Sequence, residues 1–274
     1  MPSGERSCGR VFELFLASLL ASLACLAGLT RKGGASYKNL MNLAARPWIA
    51  AVILSLLALS PEAAHAGMTD AEVKEFESYK AQAQKGDCVS QFNLGACYAN
   101  GYGVAKDDVQ AVSWWRKAAE QGDAKAQFNL GICYSSGCGV AKDDVQAVSW
   151  WRKAAEQGIA EAQFNMGFRY SSGCGVAKDD VQAVSWFRKA AEQGLAQAQY
   201  SLGNVYAKGK GVAKDSVEAY AYLNLAGITL EAARENLSIL EKAISRDEIV
   251  AGQQRTKQLQ KEIEAKMAAN KAGK

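Results

Sequence analysis

Residues 123–158 read DAKAQFNLGICYSSGCGVAKDDVQAVSWWRKAAEQG, and this stretch is one of four copies, with changes, along the chain. A shift of 36 residues superposes Gly86, Gly122, Gly158 and Gly194, and likewise Gly95, Gly131, Gly167 and Gly203. The pairs Gly101/Gly103, Gly137/Gly139, Gly173/Gly175 and Gly209/Gly211 keep the same period. A unit of this length cannot bury an apolar face by itself, so the copies must stack and share a core. Such an array presents a surface to its surroundings rather than enclosing a pocket.

Within one unit the apolar residues follow helical spacing. Ala126, Leu130 and Tyr134 fall on one face of a first helix, with Asp123 placed to cap its amino end. Gly131 inside that helix marks a close approach by the next helix, because an unneeded helical glycine costs about 1 kcal/mol against alanine. Gly137-Cys138-Gly139 breaks the helix, Asp143 caps a second one, and Ala147, Trp150, Ala154 and Ala155 give that helix its expected face. Gly158 closes it. Each unit therefore reads as an αα-hairpin, and the fold class as all-α.

The pattern Leu-Gly-x-x-Tyr, Gly-x-Gly-Val, Asp-x-x-x-Ala-x-x-Trp and Lys-Ala-Ala-Glu-x-Gly resembles the Sel1-like repeat family, a relative of the tetratricopeptide repeats. The resemblance covers residues 87–230, in copies at 87–122, 123–158, 159–194 and 195–230. The last departs most, with Tyr222, Gly227 and Leu230 at the positions of Trp150, Ala155 and Gly158. The resemblance implies a right-handed α/α solenoid used for protein–protein contact, without naming a partner. Residues 67–86 and 231–274 read as caps of the array. Thr69 with Glu72, and Ser245 with Glu248, carry capping-box signatures that open helices there.

The first 66 residues have a different character. Apolar stretches at Val11–Leu29 and Trp48–Leu59 flank Arg31, Lys32, Lys38 and Arg46. Arg46, the second apolar run and Ala64-His65-Ala66 are the three parts of a secretory signal peptide, with Met41 as its start and residues 1–40 as an over-extended beginning. An exported protein, periplasmic or secreted, is expected; a chain anchored in an inner membrane through an uncleaved leader is the alternative.

The chain's 32 basic and 28 acidic residues give a net charge of +4. The leader holds six basic residues (Arg6, Arg10, Arg31, Lys32, Lys38, Arg46) and three acidic ones (Glu5, Glu13, Glu62), leaving 26 against 25 beyond it, a net +1. No basic patch suggests nucleic acid. The single histidine, His65, lies in the leader, so the remainder lacks the imidazole of Ser-His, Cys-His and many zinc sites. The Ser-x-x-Lys, Ser-Asp-Asn and Lys-Thr-Gly strings of penicillin-recognising enzymes are also missing. A non-catalytic protein with neither cofactor nor metal is expected. The runner-up is a penicillin-binding or β-lactamase-like activity, followed by binding of cell-wall glycan.

Comparison among the repeats locates the expected binding face. From Gly139 to Trp150 the second repeat matches the third, whereas the first helices differ. One position holds Ala96, Ile132, Phe168 and Asn204; the next holds Cys97, Cys133, Arg169 and Val205. First helices line the concave side of helical-hairpin solenoids, so Ile132, Phe168, Arg169 and Asn204 are the candidate contacts for a protein partner. Drift after duplication is the competing explanation.

Cys88, Cys97, Cys133, Cys138 and Cys174 lie beyond the leader. Pairing each first-helix cysteine with the loop cysteine of the next repeat would give Cys97–Cys138 and Cys133–Cys174. Each bond would constrain the unfolded chain by roughly 3–4 kcal/mol. A local Cys133–Cys138 pair and five free thiols are the alternatives.

Overall fold

The computed structural model describes residues 68–272, within a unit running Gly67–Lys274. The leader, with its expected signal peptide, lies outside the described residues. Eleven helices and no strands occur among the described residues.

Helix α1 (Asp70–Ala83) precedes four hairpins: α2 (Cys88–Asn100) with α3 (Asp108–Glu120), α4 (Ala124–Ser136) with α5 (Asp144–Glu156), α6 (Ala160–Ser172) with α7 (Asp180–Ala191), and α8 (Ala196–Lys208) with α9 (Ser216–Gly227). Helices α10 (Glu231–Glu241) and α11 (Arg246–Ala272) follow. Each helix from α1 to α9 packs on the next, and α11 lies against α9 rather than α10. The result is an α-solenoid.

The start signals act as the sequence indicates. Asp107, Asp143, Asp179 and Asp215 each accept two backbone N–H groups at the start of a second helix. Asp87 and Asp123 cap α2 and α4. In the next two repeats Ile159 and Leu195 take this place, form no side-chain cap, and pack on the apolar clusters instead. Both capping boxes are formed, at Thr69/Glu72 and Ser245/Glu248.

Glycines at two places in the repeat, inside the first helix and in the turn after it, explain why hairpins of small size pack so closely. A Cβ on Gly131 would strike the Trp151 indole, which lies against the α4 backbone and donates to the Phe128 carbonyl at 3.2 Å. Trp115 does the same above Gly95, donating to the Phe92 carbonyl. This corrects the expected face of the second helix at its tryptophan: Trp151 is in the core, and Trp150 is half-buried with Lys153 above its ring at 4.2 Å. The hollow left by the glycine selects the tryptophan that fills it. Gly139 has φ +66°, and a Cβ there would collide with the Asp108 carbonyl, so the turn of one repeat seats against the second helix of the repeat before.

A row of glutamines ties successive repeats together. Gln91, Gln127, Gln163 and Gln199 are buried and donate to the carbonyls of Ala83, Ala119, Ala155 and Ala191. The side-chain oxygens of the first three accept from Gln121, Gln157 and Gln193 at 2.7, 2.8 and 2.9 Å. Those same amides also donate to the carbonyls of Gly86, Gly122 and Gly158. Each junction thus satisfies its buried amides with carbonyls at the preceding helix end, as buried polar groups require.

Candidate functional site

The first-helix face carries an apolar row that the core does not use. Ile132 on α4 is 42 % exposed and Phe168 on α6 is 55 % exposed. The same position is a half-buried Ala96 on α2 and a half-buried Asn204 on α8. One turn before and after Ile132 stand Asn129 and Ser136; around Phe168 stand Asn165 and Ser172. Ser136 and Ser172 donate to the carbonyls of Ile132 and Phe168, both at 2.9 Å. These four side chains are polar and uncharged. Between α2 and α4 the face dips into a hollow of ≈ 260 Å³ that includes Ala99, Asn129, Ile132 and Cys133, and that Asp108, Ala111 and Trp115 of α3 also line, so one carboxylate borders it.

Arg169 does not join this exposed row. Its side chain is 13 % exposed and reaches back to the preceding hairpin, where it pairs with Asp144 at 2.8 Å. It also donates to the Ser135 hydroxyl and lies over the Trp151 ring at 5.0 Å. The residue after the exposed position faces the previous repeat, because a helical step of one residue turns the side chain by roughly 100°. Asn204 is likewise engaged: its side-chain oxygen accepts from Asn236 of α10 at 2.7 Å, and its amide donates to the Tyr200 carbonyl. Of the four candidate contacts, Ile132 and Phe168 stand open, and Arg169 and Asn204 serve inter-helix joints.

The same geometry decides the neighbours of the cysteines. All five in the described residues are free thiols, so the cross-repeat bonds Cys97–Cys138 and Cys133–Cys174 are not formed. First-helix cysteines face backward: Cys97 is buried in a cluster with Phe76 and Ala83 of α1, and Cys133 in one with Ala111, Val112 and Trp115 of α3. The loop residue also reaches backward. Tyr102 donates to Glu75 at 2.8 Å, the Cys138 thiol is hydrogen-bonded to Asp108, and Lys210 lies 3.3 Å from Asp180. A helix cysteine therefore meets the loop of its own repeat. Burial pushes the Cys133 thiol up to about 11, with the nearby charges of Cys138 and Asp108 adding to the effect. The hydrogen bond to Asp108, then burial, raises Cys138.

At the far end, α11 covers α9. Gly252 lies against the Tyr220 ring, and Arg255 pairs with Glu218 at 2.7 Å. Lys266 pairs with Glu192. Tyr206 and Tyr222 stack with ring centres 6.0 Å apart beside Arg188, which donates to the Tyr206 hydroxyl. Burial holds the Tyr222 phenol at about 12. Among the described residues no cluster of metal-ligating side chains occurs, and no helix is long and apolar enough to cross a membrane.

A stack of helical hairpins whose open, variable side chains sit on one helix of each pair defines a solenoid repeat protein. The profile of the Sel1 repeat matches residues 88–123, 124–159, 160–195 and 196–227, more than half of the chain, and the protein belongs to the Sel1 repeat family. It is similar to c5321, a protective antigen of uropathogenic Escherichia coli displaying an SLR fold. The two share 39 % identity with a TM-score of 0.64 over 71 % of this chain and 42 % of that one. It is also similar to a Sel1 repeat protein from Oxalobacter formigenes, at 36 % identity and a TM-score of 0.58 over 62 % of this chain and 50 % of that one. The matched region thus spans half or less of these relatives. No match is found among curated proteins.

Proposed function

We propose that this protein is an exported scaffold that binds a protein partner along its first-helix face, with Ile132 and Phe168 as the apolar anchors. The observation that carries this reading is the pair itself: two large apolar side chains, 42 % and 55 % exposed, at equivalent positions of adjacent repeats. The surrounding rim of Asn129, Asn165, Ser136 and Ser172 supplies donors and acceptors without charge. Such a rim suits the main-chain amides of an extended polypeptide, and the apolar pair suits its side chains. The Sel1 fold is commonly used for protein–protein interaction, which agrees with this reading. Export rests on the leader sequence: Arg46, the apolar run and Ala64-His65-Ala66. Arg169 and Asn204 support the face from behind, by fixing α6 to α5 and α8 to α10.

Affinity capture from a cell-envelope extract tests the proposal. The wild-type chain is expected to retain one or two proteins reproducibly, and the Ile132→Ala/Phe168→Ala variant to lose them. Val145→Ala, which removes an apolar side chain 64 % exposed on α5, is expected to retain them. Equal capture by all three chains contradicts the assignment of the face.

A further inference from the structure

We propose that Cys133 and Cys138 form a redox-active dithiol, a modification site built into the end of α4 that closes into a local disulfide. The turn there supplies the geometry. Gly137 adopts the left-handed conformation with φ +80°, and the Cys138 N–H donates to the Cys133 carbonyl at 3.2 Å. This is the six-residue closure of a Schellman motif, whose first and last side chains characteristically meet. That hydrogen bond keeps the two Cα atoms within roughly 7 Å, the span a disulfide bridges. Both side chains line the same hollow, and both feel the Asp108 carboxylate.

The first and fourth repeats make the same turn with other pairs. The first has Cys97 with Tyr102, whose N–H donates to the Cys97 carbonyl at 2.9 Å; the fourth has Val205 with Lys210, at 3.2 Å. The third has Arg169 and Cys174 at the two positions. Only the second repeat places sulfur at both.

The oxidant required is a disulfide, either glutathione disulfide or an oxidised protein dithiol. Cys138 is the more exposed of the two and reacts first: its thiolate attacks one sulfur of the oxidant, a mixed disulfide forms, and a thiolate leaves and takes up a proton. Cys133 then loses its proton and attacks the Cys138 sulfur. The intramolecular bond forms and the second thiol leaves, so two thiols are oxidised and one disulfide is reduced. Closure occurs in the wall of the hollow beside Ile132, yet it depends on the turn alone and stands whether or not the first-helix face binds a partner.

The test is exposure of the full-length chain to glutathione disulfide, alkylation, tryptic digestion and mass spectrometry. The peptide Ala126–Lys142 contains both cysteines and no other. It is expected to lose both alkylatable thiols and to be lighter by two hydrogen atoms, while Cys97 stays reduced. The Cys97→Ala/Cys174→Ala chain is expected to close the pair equally well. Cys133→Ala is expected to leave a stable glutathione adduct on Cys138. A persistent adduct on Cys138 in the wild-type chain, an alkylatable Cys133 after oxidation, or a cross-link from Cys138 to Cys97 would each overturn the proposal.

Discussion

The second and third repeats share every residue from Gly139 to Trp150 and from Gly175 to Trp186, yet they join the preceding hairpin by different chemistry. In the second, Cys133 and Cys138 lie near Asp108, and the contact is apolar and thiol-rich. In the third, Arg169 spans the joint and engages Asp144, Ser135 and Trp151 at once. The glutamine row and the turn glycine are the same in both. The spine fixes the stacking, and the position after the exposed first-helix residue is free to be a thiol, a guanidinium or, in the fourth repeat, Val205.

The largest break in that comparison is expected from the spine. Gly139→Ala places a Cβ on the Asp108 carbonyl at a positive φ, and a loss of about 3 kcal/mol or more in chemical denaturation is expected. Gly175→Ala does the same against Asp144, so equal losses in the two repeats mark the spine as shared. Gln127→Leu strands the Ala119 carbonyl and half of the Gln157 amide, and a loss of about 1–3 kcal/mol is expected by the same assay.

Alkaline pH separates the two joints by a comparable amount. Cys133 titrates at about 11 when folded against 9.0 for the free thiol. The unfolded chain therefore releases this proton first as pH rises. The stability contributed by the protonated thiol is complete below pH 9.0 and is lost between 9.0 and about 11, by up to roughly 2–3 kcal/mol. Cys133→Ala is expected to flatten that part of the stability–pH curve. An unchanged curve contradicts the burial of the thiol.

Smaller effects sharpen the contrast. Arg169→Ala is expected to cost about 1–2 kcal/mol, because a half-buried ion pair and a hydroxyl contact are lost together. Arg169→Cys copies the second repeat into the third, and is expected to give a dithiol with Cys174 that closes under glutathione disulfide. Ile132→Ala and Phe168→Ala are expected to change stability by no more than about 0.5 kcal/mol each, since neither side chain is in the core.

Much of this was legible in the chain. Glycine phase set the repeat, and the aspartates at 123 and 143 marked helix starts that the structure confirms. On the second helix Ala147, Ala154 and Ala155 are buried as their spacing indicates, and only the tryptophan differs, because Trp150 and Trp151 are adjacent and only the hollow over Gly131 distinguishes them. Gln127 taken alone gave no signal: a glutamine beside Ala126 reads as solvated until a carbonyl from the previous repeat reaches it. The repetition of Gln91, Gln127, Gln163 and Gln199 at the period was the clue to their role. Arg169 was legible as a departure from cysteine but not as a clamp, since its partners Ser135 and Asp144 belong to the repeat before. Contacts within one hairpin follow from periodicity, whereas contacts between hairpins depend on which way a side chain leans.

The measurement that tests the central claim most directly is site-specific photocross-linking in cells, with a photoreactive side chain at Phe168 or, separately, at Val145. The account predicts a discrete cross-linked protein from Phe168 that is absent from Val145. Cross-links of equal yield from both positions, or from Val145 alone, would contradict a binding role for the first-helix face.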